Sequence, residues 1–368
     1  MMFKTLITCL AFLCLADSVW ASDHLLYFEA QGIAGYSSGI DKAIFYSQNP
    51  DAEMQKPSVG FDFIQRISGE SGDIATFALQ ARLALVVNSE KHYLQVEPQV
   101  YNAYLKAKIV EPYVWVGHNR PAFGLSSYYD SHSQLLRTLA VQGFGYDRDW
   151  GFGVYKDFSW GDINTSFTIG SGMPVYFKGG NYMAAGRVSY GVLSRDNMNL
   201  GFSLGYGNTL DTMGYDLMDS EPRRMALAGL DFTFLWNRFE NRFDVIGGKW
   251  LGERTYAIFY RFGVNLDQEG RFKIEAQPIW WKFGEEKNYE LSACFSFLAT
   301  SNLTLRLAYF YNHDERDNRV MVQLYYYRPV QWLSKLLEKV KDQSKPTQPE
   351  QKGSSSFGPK KGTWEEEN

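Results

Sequence analysis

The sequence predicts an all-β protein, a transmembrane antiparallel β-barrel of about 16 strands. Three observations predict it. Residues 57–327 hold short alternating segments separated by turns, with no apolar run long enough for a membrane helix. In one such segment Arg271, Lys273, Glu275 and Gln277 share one face, and Phe272, Ile274 and Ala276 the other. A barrel in lipid needs this pattern on nearly every strand, apolar outside and polar inside. Aromatic residues make up 16% of the chain, as the girdles at two membrane interfaces require. The mean hydropathy of −0.32 speaks against helical spans but not against a barrel, whose lumen-facing residues dilute the average.

The first 21 of the 368 residues read as a signal peptide. Lys4 supplies the positive start, residues 6–15 the apolar stretch, and Val19, Trp20 and Ala21 the cleavage site before Ser22. Its removal takes away Cys9 and Cys14 and leaves Cys294 alone, so no intrachain disulfide forms. Lys4 and Asp17 cancel, so the net charge of −4 is unchanged, and nothing in it suggests nucleic acid.

The strands follow in order. Residues 24–36 and 57–67 flank an outer loop, 37–56, and Gly69-Glu70-Ser71-Gly72 makes a tight inner turn. Strands 73–88, 92–105 and 113–119 precede a long segment, 120–149. Strands 150–158 and 163–171 meet at Gly161-Asp162. Strands 182–193 and 198–207 meet at Ser194-Arg195-Asp196-Asn197, and a polar loop covers 208–223. The last seven are 224–235, 238–247, 254–264, 271–281, 288–298, 302–311 and 318–327. The count is even, both ends fall on the inner side, and the longest connections all fall outside. A soluble sandwich or propeller also alternates, but it does not place aromatics with aliphatics on one face so uniformly. Leu303, Leu305, Leu307 and Tyr309 do so here.

Beyond Pro329 the chemistry changes. Trp332, Leu333, Leu336, Leu337 and Val340 form a helical stripe, so an amphipathic helix is expected over 329–340, at the inner membrane surface or packed on a neighbour. Residues 341–368 have the composition of a disordered periplasmic tail.

A barrel with a wet interior is expected to pass small solutes. The inward residues of the alternation lean basic, ten against seven acidic. The wall candidates are Arg66, Arg82, Arg187, Arg242, Arg261, Lys273 and Arg306. Cationic walls in a confined channel favour anions. The same residues could instead pair across strands and stiffen the wall, and Arg238, Glu240, Arg242 and Asp244 alternate in sign as that reading expects. The segment 120–149 is too long to be without a role. Folded inward it would form a constriction from Arg120, Tyr128, Tyr129, Asp130, His132, Arg137 and Arg148; folded outward it would only cover the mouth. No catalytic, metal or cofactor site is expected, because none of the five His has ligand spacing. The competing reading is a barrel closed by its loops, serving as scaffold, adhesin or sleeve for a periplasmic partner.

Residues 114–125, Val-Trp-Val-Gly-His-Asn-Arg-Pro-Ala-Phe-Gly-Leu, resemble the phosphate-selective porin O and P family. There a strand ending in Gly leads through a basic stretch and Pro-Phe-Gly into an inward-folded third loop. The hairpin 150–172 and the stretch 186–207 look similar too. The resemblance implies a 16-strand barrel in a bacterial outer membrane, homotrimeric, passing anions or other small solutes. The loop 120–149 has no lysine cluster.

Overall fold

The computed structural model describes residues 21–46, 55–69, 72–88, 93–108, 111–130 and 133–330. The expected leader up to Trp20, and the expected helix and tail from Gln331 onward, lie outside the described residues. Seventeen strands form one antiparallel sheet. They are β1 (Ala21–Ser37), β2 (Lys42–Ile44), β3 (Ser58–Gly69), β4 (Gly72–Asn88), β5 (Tyr93–Lys108), β6 (Tyr113–Asn119), β7 (Asp149–Phe158), β8 (Gly161–Thr168) and β9 (Tyr182–Tyr190). There follow β10 (Met198–Met213), β11 (Asp216–Trp236), β12 (Phe239–Trp250), β13 (Glu253–Asn265), β14 (Phe272–Phe283), β15 (Glu286–Thr300), β16 (Leu303–Asn312) and β17 (Asp317–Pro329). All but β2 pair with their sequence neighbours around a ring. The ring closes where β1 pairs with β17, from Tyr27↔Pro329 to Ser37↔Arg319, and with β3, from Ala21↔Ser68 to Gln31↔Ser58. The result is the expected closed barrel of sixteen strands, with β2 as a short addition at the edge of β1.

The alternation follows from the two solvents. On β10, Leu200, Phe202, Leu204 and Tyr206 point outward and are 44–54% exposed, while Ser203 between them is fully buried. Small residues face in here for a reason: a Cβ on Gly201 would strike the Arg187 guanidinium, and one on Gly205 would strike Met225. Short turns join the strands at one end, the turn end. The opposite, loop end carries the longest connections, 120–148 among them, beside tight turns such as Leu251-Gly252. At the turn end Leu193–Asp196 form a single helical turn, α1, closed by Asn197 in the left-handed conformation (φ 56°), which asparagine tolerates well.

One expected loop is not a loop. Residues 208–223 continue the β10–β11 ladder, through Asn208↔Arg224 and Thr209↔Arg223 to Met213↔Asp216, and turn at Gly214-Tyr215. The polar composition that suggested a loop reflects a hairpin rising beyond the membrane, where neither face needs to be apolar. Its tip reaches β5. The pairing of β6 with β5 ends at Ala103↔His118, so the β5 edge beyond it lacks a strand partner on that side. A bulge between Gln80 and Ala81 sets Tyr101 apart as an extra residue there. The Tyr215 hydroxyl accepts from the Val100 N–H (2.7 Å) and donates to the Val100 carbonyl (2.9 Å), capping that edge.

The outward assignment of β10 gives a direct test. Leu204→Arg places a charge on the lipid face and should destabilise the barrel by about 2–4 kcal/mol near the bilayer midplane. The shift is read from urea unfolding in lipid vesicles. An unchanged midpoint would mean that this face does not contact lipid.

Candidate pore constriction

The segment between β6 and β7, residues 120–148, folds into the barrel. Irregular backbone at membrane depth survives only where protein or water satisfies its polar groups. The wall does this strand by strand. The Ser166 and Ser203 hydroxyls accept from the N–H groups of Ala122 (2.9 Å) and Gly124 (3.0 Å), and an Asp244 carboxylate oxygen accepts from Leu125 N–H (3.2 Å). Gly124 takes φ 62°, and a short 3-10 turn, Leu125–Ser127, follows. Phe123 packs into the trough left by Gly205 and Gly229, whose Cβ atoms would come within 3.3–3.6 Å of its ring. The Tyr128 hydroxyl pairs with Thr233, and its ring lies under the Arg187 guanidinium at 4.6 Å.

The loop then crosses to the far wall. Arg306 donates to the Ser133 carbonyl (2.9 Å) and to Gln323 (2.8 Å). Arg261 donates to Gln277 (2.7 Å), Gln134 (2.9 Å), the Tyr129 hydroxyl (2.7 Å) and the Arg137 carbonyl (3.3 Å). Leu135 and Leu136 enter an apolar cluster with Ile33, Ile44, Phe310 and Met321. On its return the loop sets Phe144 at a tilt to Trp281 (5.7 Å) and Tyr146 edge-on to Trp250 (5.3 Å). Burial raises the pKa of the Tyr146 hydroxyl, with Asp149 adding to it, so it stays a neutral donor to the carbonyls of Gly170 (2.9 Å) and Leu210 (2.6 Å).

Four charges meet at the neck of the loop. Asp130 pairs with Arg120 and with Arg148 (3.2 Å), and Arg148 also pairs with Asp147 (2.9 Å) and stacks on Tyr101 at 4.3 Å. Burial works against the charge on Arg148, but Asp147, Tyr101 and Asp130 more than offset it, so its pKa is raised. The side chains of Asp130 and Arg120 keep 30% and 20% exposure and form the wetted edge of the loop. Arg148 also donates to Asn102 (2.9 Å), and Asp147 accepts from the Tyr101 hydroxyl (2.7 Å), so the neck lies against β5.

The structure brings Arg120, Asp130 and Arg148 together and stacks Tyr128 and Tyr129 under wall arginines; Arg242 lies 3.5 Å from the Tyr129 ring. Arg137 is buried under the loop's return, and His132 lies outside the described residues. Of the wall candidates, Arg82 contacts Gln99 (2.8 Å) and Glu29 (3.9 Å), and Arg187 is clamped on Asp231 (2.7 and 2.9 Å). Arg242 pairs with Glu240, and Lys273 with Glu240 and Glu275 (2.9 Å each). Arg66 is exposed near the turn end. Arg261 and Arg306 face inward as expected, but the loop covers them; Arg261 is 1% exposed. Both are hydrogen-bonded to neutral groups, and among the described residues neither has an ion-pair partner. The docking residues Ser166, Ser203, Asp244, Gly205 and Gly229 were not singled out as loop contacts. The run of small inward residues on β10 was the available signal.

No family model and no curated protein matches the sequence. Among solved structures, the chain is similar to an anion-selective porin from Comamonas acidovorans, with 9% identity over 84% of this chain and 100% of that one, at a TM-score of 0.54. It is similar to Salmonella typhi OmpF, solved in complex with daunomycin, with 10% identity, 84% and 98% coverage and a TM-score of 0.59. It is also similar to the outer membrane channel DcaP of Acinetobacter baumannii, with 10% identity, 83% and 97% coverage and a TM-score of 0.52. At these identities the likeness establishes the fold, a barrel of the outer-membrane porin type.

The trough under Phe123 is testable. Gly205→Leu should cost about 1–3 kcal/mol by overpacking and lift the loop from the wall. Limited proteolysis of the folded protein should then cut within 120–148 faster than in the parent. Equal cleavage rates would show that the trough does not hold the loop.

Proposed function

We propose that the protein is a passive pore for small hydrophilic solutes in a bacterial outer membrane, with a weak preference for anions. The carrying observation is the loop held inside the lumen by wall side chains, with a charged, partly wetted edge at its neck. It narrows the barrel, and the reading assigns no enzyme activity and no cofactor. The anion preference rests on Arg261 and Arg306. Their charges have neutral partners, so their field reaches the lumen even though the loop covers them. The residues 114–125 support kinship with phosphate-selective porins and, with it, a homotrimer. The wall adds no lysine set specific for phosphate, so the proposal extends to small anions in general.

A second reading, a barrel closed by its loop and acting as scaffold or sleeve, has one observation in its favour. Glu29, Gln99 and Arg82, on the wall near the loop neck, are only 2%, 1% and 5% exposed. Planar-bilayer recording separates the two readings. The pore reading expects stepwise conductance and an anion-selective reversal potential in a KCl gradient. Arg306→Gln should lower the anion-to-cation permeability ratio and Asp130→Asn should raise it. Each change should be about two- to fivefold, as one wall charge in a wet lumen is worth roughly 1 kcal/mol or less. No conductance steps in any salt would favour the closed barrel.

A further inference from the structure

At the loop end, above the return of the inward loop, lies a cavity of about 510 Å³. Its lining divides by chemistry. Trp281 and Phe283 stand half-buried on β14, backed by Phe144 and Trp250. Carboxylates stand around the same space: Asp211 on the raised hairpin, Glu286 at the start of β15 and Glu315 before β17. Glu315 pairs with Arg319 (3.2 Å), whereas Asp211 and Glu286 have no ion pair among the described residues. The cations of the lining, Arg137 and Arg148, are sunk in the floor at 5% and 1% exposure, and Arg148 is tied to Asp130 and Asp147. The open surface is therefore acidic and aromatic.

We propose that this vestibule binds an organic ammonium ion that carries an apolar or aromatic portion. An aromatic face attracts a cation through its quadrupole, and an open carboxylate attracts the same charge, so one ligand class answers both features. A neutral sugar would use the rings but leave the carboxylate charges unanswered. A bare metal ion needs convergent ligands, and no group of three or more His, Cys, Asp or Glu side chains among the described residues is placed to hold one. The site shares Asp147 and Arg148 with the neck, but the neck's two arginines and two aspartates balance, whereas the open carboxylates here do not. Binding does not depend on the pore reading; only its consequence, a blocked current, does.

The test is isothermal titration of the full chain folded in detergent, with empty micelles as blank. The probes are phenethylammonium, its neutral counterpart 2-phenylethanol, and maltotriose. Phenethylammonium should bind saturably and at least about tenfold more tightly than the alcohol. The pair Asp211→Asn and Glu286→Gln together should weaken it by at least about tenfold, and Trp281→Ala should weaken it too. Glu269→Gln, which removes one charge in the exposed turn before β14, should leave binding intact. Far-UV circular dichroism checks folding; if the double variant fails to fold, Glu286→Gln alone carries the test. Equal binding of amine and alcohol, binding of maltotriose alone, or unchanged affinity in the carboxylate variants would overturn the proposal. Loss of binding in Glu269→Gln would overturn the location. A folded protein that binds the amine yet conducts no current would leave the site standing and reject the pore.

Discussion

No backbone N–H or carbonyl can go unpaired in lipid, and the rest of this structure depends on that constraint. It forces the sheet to close, which it does when β1 takes β17 on one edge and β3 on the other. It also explains features that look incidental. β6 is only seven residues long, so part of the β5 edge loses its partner. That edge is capped instead by a tyrosine hydroxyl that serves as acceptor and donor for one residue, Val100. To deliver Tyr215 there, the β10–β11 hairpin must outgrow the barrel. One short strand and one long hairpin are thus two ends of a single accounting of hydrogen bonds.

The same rule operates inside the lumen. The irregular chain of residues 120–148 would be intolerable at membrane depth without partners. Ser166, Ser203, Asp244, Arg261, Gln277 and Arg306 meet backbone groups of the loop. Each such bond contributes about 0.5–1.5 kcal/mol, more where an arginine donates, and losing one partner leaves a buried group that costs about 1–3 kcal/mol. Inward polar residues therefore do two things. They make the lumen hydrophilic, and they fix the object that narrows it. Arg261 and Arg306 shift from direct contacts with solute to anchors whose field remains. Their influence on an ion is set by charge and distance rather than by touch.

Much of the fold was legible because lipid imposes a period of two on whatever crosses it. Apart from the extension of β10 and β11 through 208–223, each of the sixteen wall strands falls where the alternation places it, to within a few residues at the ends. Residues 208–223 were not legible as strands for the same reason. Beyond the membrane both faces are wet, the period disappears, and a like-charged cross-strand pair, Asp211 opposite Asp219, removes what pattern remained. The inward direction of the loop was suggested by its length and by residues 114–125. Its contacts were not, because Arg120, Asp130 and Arg148 are joined only by the path the loop takes. The glycines at 201, 205 and 229 were visible in the sequence. A glycine in a strand can mean a bulge, a bend or a close approach, and only the positions of Arg187 and Phe123 decide which.

The covered arginines and the vestibule carboxylates carry opposite signs in different dielectrics, and salt separates them. Arg261 is buried and Arg306 lies under the loop, where mobile ions hardly enter. The vestibule carboxylates Glu286 and Glu315 stand in water, where the screening length falls from about 10 Å at 0.1 M salt to about 3 Å at 1 M. At low salt the acidic mouth gathers cations and works against the proposed anion preference of the wall. At high salt its field collapses within its own radius while the buried arginines, screened much less, keep theirs. The anion-to-cation permeability ratio should therefore rise as KCl is raised at a constant gradient. That is opposite to a channel whose selectivity resides in exposed wall charges, whose preference fades with salt. With Glu286→Gln the rise should shrink, since the opposing field is weaker from the start. A ratio that falls with salt in the parent protein would place the selective charges at an exposed surface and remove the covered arginines from the explanation.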